Sequence, residues 1–247
     1  MEIRTFGGGG RQCECERILS ATLRDKVGRL ILLPIPTAKD KKYITGTATS
    51  VGEIAAMLSP GDTVVGYDIP REIREKADTV GTFSYDAGAD EDFLIENAEL
   101  TARGAIGYIL THTKRDLADM RVGVVGYGRI GSCLVRWLLT FGCRPTVYTG
   151  RETVVLELGE MGISACTIGE VGNLSGLDLL INTAPARQIE EGRIPPDLEI
   201  IDLASGSIFE PSQRLKKLSS IPDAFYPLTA GKLYAEAILG ALSGGEK

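Results

Sequence analysis

The sequence predicts an α/β fold with two α/β domains, each built on a parallel sheet. Short apolar runs alternate with helical patterns along the chain, and Gly or Pro residues separate them. This alternation is typical of parallel strands joined by helical crossovers. A chain of 247 residues is also long enough for two small domains. We place the first domain at residues 1–100, joined by a C-terminal helix at 229–247, and the second at 101–228.

Each element of the first domain follows from an apolar run, a helical pattern or a turn signal. We expect strands at 3–6, 29–33, 63–67 and 80–85. Between these runs, helical patterns occupy 11–24, 51–58 and 73–77. Pro34 and Pro36 end the second strand, because proline cannot donate a ladder hydrogen bond.

A long helix leads into the second domain, and four apolar runs predict its strands. Apolar residues recur at helical spacing from Asn97 to about Thr113, and we assign the linking helix within the second domain to 101–114. The predicted strands lie at 121–125, 145–148, 177–181 and 198–203. We expect a last helix from about Ala230 to Leu242, which the glycines at 244 and 245 end.

Composition argues against several classes of protein. The net charge is −6 and basic stretches are short, so we expect no nucleic-acid surface. No apolar run approaches a membrane span, and the first residues lack the layout of a signal peptide. Five scattered cysteines and a single histidine predict reduced thiols and no metal site. These features favour a cytoplasmic protein.

A glycine-rich loop near the start of the second domain has the spacing G-x-G-x-x-G. Its residues are Gly126, Tyr127, Gly128, Arg129, Ile130 and Gly131. An apolar run precedes the loop and a helical pattern follows it, which is the context of a Rossmann dinucleotide-binding fold. The three glycines would make the tight turn, admit the pyrophosphate and let the helix pack on the strand. The helix N-terminus would then bind the pyrophosphate. An ordinary structural turn is the alternative.

The residues after the second strand of this domain indicate which dinucleotide binds. An NAD site places Asp or Glu there to accept hydrogen bonds from the ribose 2′-hydroxyl. This chain has Thr149, Gly150 and Arg151, and an arginine fork is suited to a 2′-phosphate. We therefore expect NADP rather than NAD. In the alternative, Arg151 points to solvent and Glu152 binds the ribose.

Two further loops follow strands at the edge where ligands bind in open α/β sheets. They supply the remaining candidate cofactor-binding residues, Asn182, Thr183, Ala184 and Pro185 in one loop and Ala204 and Ser205 in the other. We expect both loops beside the nicotinamide ribose and ring. Ordinary turns would have a similar sequence.

The first domain supplies the candidate substrate-binding residues, with an interdomain cleft as the expected site. Gly9, Gly10 and Arg11 open the first helix, where backbone N–H groups and a guanidinium are suited to a carboxylate. A plain turn with a surface arginine is the alternative. The last helix adds three more candidates, Thr229, which is its expected N-cap, Ala230 and Gly231.

The candidate catalytic residues are Arg11, His112 and Asp202. His112 is the single histidine, and hydride-transfer enzymes often use a group that titrates near neutral pH as general acid or base. It stands at the end of the linking helix, where a structural or helix-terminal cation is the alternative. Asp202 interrupts the apolar run of the last predicted strand.

Several motifs, in their order, resemble the dehydrogenase subunit of dipicolinate synthase, which acts in dipicolinate formation in spore-forming bacteria. They are GGGRQ at 8–12, NAELT at 97–101, VVGYGRIG at 124–131, DLLINTAP at 178–185, IDLAS at 201–205 and LTAG at 228–231. The resemblance implies a two-domain fold like that of D-2-hydroxyacid dehydrogenases. It also implies oxidation of a dihydrodipicolinate-type dicarboxylate to dipicolinate by NAD(P)+ during sporulation. The second dipicolinate synthase subunit is the implied partner, and we also expect a homo-oligomer.

The sequence departs from that family at three places. Arg103 stands where the resemblance implies a Glu, the segment 223–228 lacks a Gly-Pro-Gly-rich loop and a lysine, and the first domain is short. Two alternatives remain open. A D-2-hydroxyacid dehydrogenase would need a histidine in the second half, where the chain has none. A non-catalytic NADP-binding regulatory subunit would be favoured by the loss of polar groups from the cleft, and the change at Arg103 is a small step in that direction.

Overall fold

A computed structural model describes residues 1–170, 172, 174–185, 189, 192, 194–204, 209 and 214–244. The chain divides into two compact units. Unit 1 comprises Met1–Asn97 with Pro222–Lys247, and unit 2 comprises Ala98–Ile221. The chain therefore passes between the units at 97/98 and 221/222, whereas the sequence predicts these boundaries slightly later, at 100/101 and 228/229.

Strands and helices alternate through both units, which confirms the predicted α/β class. The strands are β1 (Glu2–Thr5), β2 (Arg29–Leu32), β3 (Thr63–Gly66), β4 (Phe83–Asp86), β5 (Val122–Val125), β6 (Thr146–Thr149), β7 (Ser164–Thr167), β8 (Leu179–Asn182), β9 (Glu199–Asp202) and β10 (Leu215–Lys217). The helices are α1 (Gly10–Thr22), α2 (Val51–Met57), α3 (Arg71–Val80), α4 (Glu91–His112), α5 (Arg129–Thr140), α6 (Glu152–Glu160), α7 (Ile221–Phe225) and α8 (Pro227–Gly244).

Unit 1 is built on a parallel sheet with strand order β1-β2-β3-β4, covered on both faces. Alternate residues of β2 point to opposite faces, as the period of a strand requires. Leu30 packs in a core that includes Leu19 of α1 and Tyr234 of α8. Ile31 packs in a second core, which includes Ile54 of α2. Because both faces of the central strands are buried, β2 and β3 read as mainly apolar runs, whereas the edge strands β1 and β4 carry polar residues.

Unit 2 is built on a parallel sheet with strand order β10-β9-β8-β5-β6-β7. Counted from the first strand of the unit, this is the 3-2-1-4-5-6 order of the Rossmann fold, which confirms that prediction. The order reverses between β5 and β8, whose last residues, Val125 and Asn182, lie opposite each other. Ligands bind at such a reversal, outside the carboxyl ends of the strands. The fold therefore places the loop at 126–131 where a dinucleotide loop is needed.

Two predicted element starts are wrong. Val80 ends α3, and Gly81 follows with a left-handed φ of 72°, so β4 begins only at Phe83. Glycine adopts this conformation at a helix end without steric cost. The last helix begins at Pro227, because the fixed φ of proline suits the first helical residue. Thr229 is therefore inside the first turn of α8 and is not its N-cap.

Other boundaries extend what the sequence predicted. The linking helix α4 starts at Glu91, ten residues before the assigned start at 101. Four short elements, α6, β7, β10 and α7, had no clear apolar period and were not predicted. Across the described part of the chain, no helix is both long and apolar enough to span a membrane.

Candidate functional site

The loop that joins β5 to α5 has the shape of a phosphate cradle. Gly126 has a φ of 91°, a conformation that side-chain-bearing residues rarely adopt. A Cβ on Gly131 would clash with the carbonyl oxygen of Gly126, so the helix can approach the strand only with glycine there. A Cβ on Gly128 would meet no atom within 4 Å. The N-cap residue of α5 is Gly128, which has no side chain to cap the helix, and a helix start after such a loop fits a pyrophosphate.

Thr183, which follows β8, stabilises the glycine loop between β5 and α5 by hydrogen bonds. Its hydroxyl donates to the carbonyl oxygens of Val125 at 2.9 Å and Gly126 at 3.3 Å. A Cβ on Gly126 would lie 2.7 Å from that hydroxyl oxygen. The side chain of Thr183 therefore holds the glycine turn in place from the neighbouring strand. Its predicted direct contact with the cofactor stays a prediction.

Arg151, which follows β6, reaches back to the glycine loop. Its Nη2 donates to the carbonyl oxygen of Tyr127 at 2.5 Å. Its backbone N–H donates to the hydroxyl of Thr149 at 3.3 Å, and Thr149 is buried at the strand end. Glu152 begins α6 and is exposed. The structure thus joins two predicted segments, 149–151 and 126–131, with an exposed arginine between them.

Asn182 and Asp202 form a buried pair at the ends of β8 and β9. Both side chains are fully buried, and Asn182 Nδ2 donates to Asp202 Oδ1 at 2.8 Å. Asn182 also bonds to both backbone groups of Ala184, and Asp202 Oδ1 accepts from the N–H of Ala204 at 3.2 Å. The other oxygen of Asp202 has no hydrogen bond and lies 3.8 Å from Nζ of Lys217.

This pair ties together the two predicted cofactor loops. The side chain of Asn182 is turned into the protein and holds both backbone groups of Ala184, so the predicted direct contacts of these two residues with the cofactor stay predictions. Pro185, at the end of this loop, is exposed. The second loop continues from Ala204 to Ser205, which lies outside the described residues. The catalytic role of Asp202 stays a prediction, since these contacts of its carboxylate are structural.

Arg11 is the most unusual charged residue of unit 1. Only 7% of the residue is exposed, and its Nε is buried without a hydrogen-bond partner. Burial lowers the pKa of the guanidinium, and the carboxylate of Asp223 opposes that effect. Nearby, burial raises the pKa of the Cys15 thiol to about 12, so this cysteine is an inert core residue. A buried guanidinium with a spare donor is suited to a carboxylate ligand.

The N-terminus of α1 is already capped by the chain itself. The backbone N–H of Arg11 donates to Asp223 Oδ1 at 2.7 Å. A Cβ on Gly9 would lie 2.6 Å from Asp223 Oδ2, and a Cβ on Gly10 would lie 2.5 Å from Cβ of Pro227. The two glycines therefore admit the segment that carries α7 and α8. Their predicted contact with substrate stays a prediction.

The remaining predicted residues have structural contacts. Ala230 is buried, and a Cβ on Gly231 would lie 2.6 Å from the carbonyl oxygen of Arg11, so Gly231 lets α8 pack closely on α1. Thr229 is exposed. His112 is exposed at the end of α4, stacked on Tyr108 with Nδ1 at 2.9 Å from that residue's carbonyl oxygen. This geometry suits a cation at a helix C-terminus, and a catalytic role for His112 stays a prediction.

The sequence reasoning missed two acidic residues, Asp223 and Glu99. Glu99 accepts a hydrogen bond from Trp137 Nε1 at 2.8 Å and pairs with Arg103 at 3.0 Å and with Arg136. Burial acts to raise the pKa of Glu99, but these donors outweigh it and the pKa is lowered. Arg103, which departs from the implied Glu, thus forms a structural ion pair and lies over the Trp137 ring. The i,i+4 spacing of Glu99 and Arg103 is a local signal for that one ion pair, but Trp137 and Arg136 are distant in sequence from Glu99, as Arg11 is from Asp223.

Solved structures share this fold over the full chain. Dipicolinate synthase from Bacillus subtilis matches with a TM-score of 0.78 and 19% identity, covering 100% of this chain and 98% of that one. The corresponding dipicolinate synthase chain from Bacillus halodurans matches with a TM-score of 0.77 and 23% identity, covering 98% and 97%. D-lactate dehydrogenase from Escherichia coli matches with a TM-score of 0.56 and 13% identity, covering 100% and 98%.

These likenesses confirm the predicted fold, including its similarity to dipicolinate synthase and to a D-2-hydroxyacid dehydrogenase. The sequence matches no protein-family model, and a comparison with curated proteins finds no match.

Proposed function

We propose that the protein is an NAD(P)-dependent dehydrogenase that oxidises a dihydrodipicolinate-type dicarboxylate to dipicolinate. The observation that carries the proposal is the open glycine cradle at the strand reversal of a Rossmann sheet. The buried guanidinium of Arg11, with its spare donor, supports a carboxylate substrate. The fold shared with two dipicolinate synthase structures supports the choice of dicarboxylate.

The residues of unit 2 fit a nicotinamide dinucleotide. Gly126, Gly128 and Gly131 leave room for a pyrophosphate, and the N-terminus of α5 favours its charge. We propose NADP rather than NAD, because the end of β6 carries Thr149 and Arg151 in place of a carboxylate. Arg151 is already held at the loop by the Tyr127 carbonyl, which reduces the entropy lost when it binds a phosphate. When bound, the nicotinamide ring supplies the acceptor for a hydride.

The oxidation removes a hydride and a proton from a dihydropyridine ring, which then becomes aromatic. Because aromatisation supplies driving force, the protein mainly has to bind and orient the substrate. Arg11 would hold one carboxylate, and its desolvated guanidinium would bind that charge more strongly than a surface arginine. Asn182, Asp202 and Thr183 would keep the loops that face the nicotinamide in fixed positions.

The test is a spectrophotometric assay with dihydrodipicolinate and NADP+ or NAD+. We expect absorbance of the reduced nicotinamide to rise with substrate, and faster with NADP+ at limiting cofactor. Arg151→Ala should weaken NADP+ binding about tenfold more than it weakens NAD+ binding, since only NADP+ loses the contact with the 2′-phosphate. Arg144→Ala, at another exposed arginine of unit 2, is the matched control. Nucleotide binding without turnover would refute the enzyme and favour a non-catalytic binding protein.

We also propose, from the resemblance, that the second subunit of dipicolinate synthase is a partner and that the chain forms a homo-oligomer. Sedimentation of the purified chain, alone and mixed with that second subunit, tests both statements. A monomer that does not change on mixing would contradict them.

A further inference from the structure

The N-terminus of α1 is an anion position that the chain fills with its own carboxylate. Asp223 belongs to α7 and reaches Gly9 and Arg11, more than two hundred residues away in sequence. Its Oδ1 takes the Arg11 N–H, and its Oδ2 lies where a side chain on Gly9 would be. A ligand carboxylate therefore finds that helix terminus occupied.

The side chain of Arg11 lies next to this position and is buried, with only 7% of the residue exposed. Its Nε is buried without a partner, and within the described ranges of the chain Arg11 forms no ion pair closer than 4 Å. Thr5, the last residue of β1, also has a buried hydroxyl without a partner. Both residues flank the glycine loop at 7–10. Each of these two atoms is a buried polar group that still lacks a hydrogen-bond partner.

We propose that Asp223 is a specificity residue: a built-in carboxylate that fills the anion position of α1 and confines a ligand carboxylate to Arg11. Its negative charge partly compensates the buried guanidinium and repels a second anion beside it. Simple anions are therefore bound weakly, while a dicarboxylate with further contacts still binds. The inference rests on the proposed function only in naming the dicarboxylate as the ligand.

The experiment is calorimetric titration of the full chain with two probes, sulfate and pyridine-2,6-dicarboxylate, in the presence of NADP+. Asp223→Asn keeps an oxygen that accepts the Arg11 N–H but removes the charge. We expect it to tighten the binding of both probes about tenfold. Arg11→Gln should abolish binding of both probes, with or without the change at Asp223. Asp40→Asn is the matched control, because Asp40 also accepts backbone N–H groups in unit 1.

Weaker or unchanged binding in Asp223→Asn would overturn the proposal, because Asp223 would then be a ligand contact or a helix cap only. If this variant does not fold by circular dichroism, Asp223→Ser replaces it, since serine also accepts N–H groups at a helix start. Failure of the proposed function is a separate outcome, namely no turnover of dihydrodipicolinate. In that case, tightened binding of the two probes by Asp223→Asn would still establish Asp223 as the competing anion.

Discussion

Replacing Gly128 by alanine tests the dinucleotide cradle with little disturbance of the fold. Gly128 has φ −92° and ψ −161°, an extended conformation that alanine adopts freely, and the new Cβ meets no atom within 4 Å. The free energy of unfolding should therefore stay constant or rise by about 0.5 kcal/mol, because alanine restricts the unfolded chain. Any loss of NADP+ binding then reports on the ligand alone.

The size of that loss follows from the space that the methyl group takes. A pyrophosphate oxygen must come within about 2.9 Å of a backbone nitrogen to hydrogen-bond. A methyl carbon in its path keeps it at about 3.5 Å or more, so the phosphate retreats from the helix start. Losing one charge-assisted hydrogen bond costs about 1.5–3 kcal/mol. We expect the Kd for NADP+ to rise about ten- to hundredfold.

Calorimetric titration with NADP+ and thermal unfolding measure the two effects separately. Gly159→Ala, in α6 and also without atoms within 4 Å of the new Cβ, should stabilise the protein by about 0.5–1 kcal/mol and leave binding unchanged. Gly131→Ala should lower both stability and affinity, because its Cβ clashes with the Gly126 carbonyl. If Gly128→Ala binds NADP+ as tightly as the wild type, the loop is not the pyrophosphate site.

Three further predictions concern residues of unit 2. Thr183→Val should cost about 1 kcal/mol of stability by urea unfolding and weaken NADP+ binding severalfold, whereas Thr183→Ser should restore both. Glu99→Gln keeps an acceptor for Trp137 but loses the charge, so the free energy of unfolding should fall by about 1 kcal/mol. The loss should be smaller in about 1 M NaCl, because salt screens the ion pairs. Equal losses at low and high salt would contradict the role of the ion pairs. Hydrogen bonds from Arg121 and Arg115 hold the pKa of Asp178 well below its usual value. Asp178 therefore stabilises the fold above about pH 4 and loses this contribution as pH falls. Asp178→Asn should be less stable at about pH 7 and lose less stability by about pH 3 in circular dichroism melts; parallel curves would refute this.

Residues that are near neighbours in the chain were enough to specify the α/β class, both parallel sheets and the loop at 126–131. A buried strand reads as an apolar run, and the turn to α5 needs glycine at 126 for its positive φ. The structure differs from the predicted elements where strand and helix signals occur at the same residues. The valine at position 80 suits a strand, yet it ends α3 because Gly81 terminates the helix there.

The sequence does not show which polar side chains remain free to bind a ligand, because that depends on how elements distant in the chain pack together. The sequence predicts Asn182 as a cofactor contact, but its side-chain amide donates a hydrogen bond to Asp202 on the adjacent strand. The start of α1 looked open to substrate, but Asp223 reaches it from the far end of the chain. Side chains that are distant in sequence become neighbours only when the elements pack, and a buried polar group must find a partner there. The packing therefore leaves Nε of Arg11 without a hydrogen-bond partner, while the carboxylate of Asp223 occupies the N-terminus of α1 beside it.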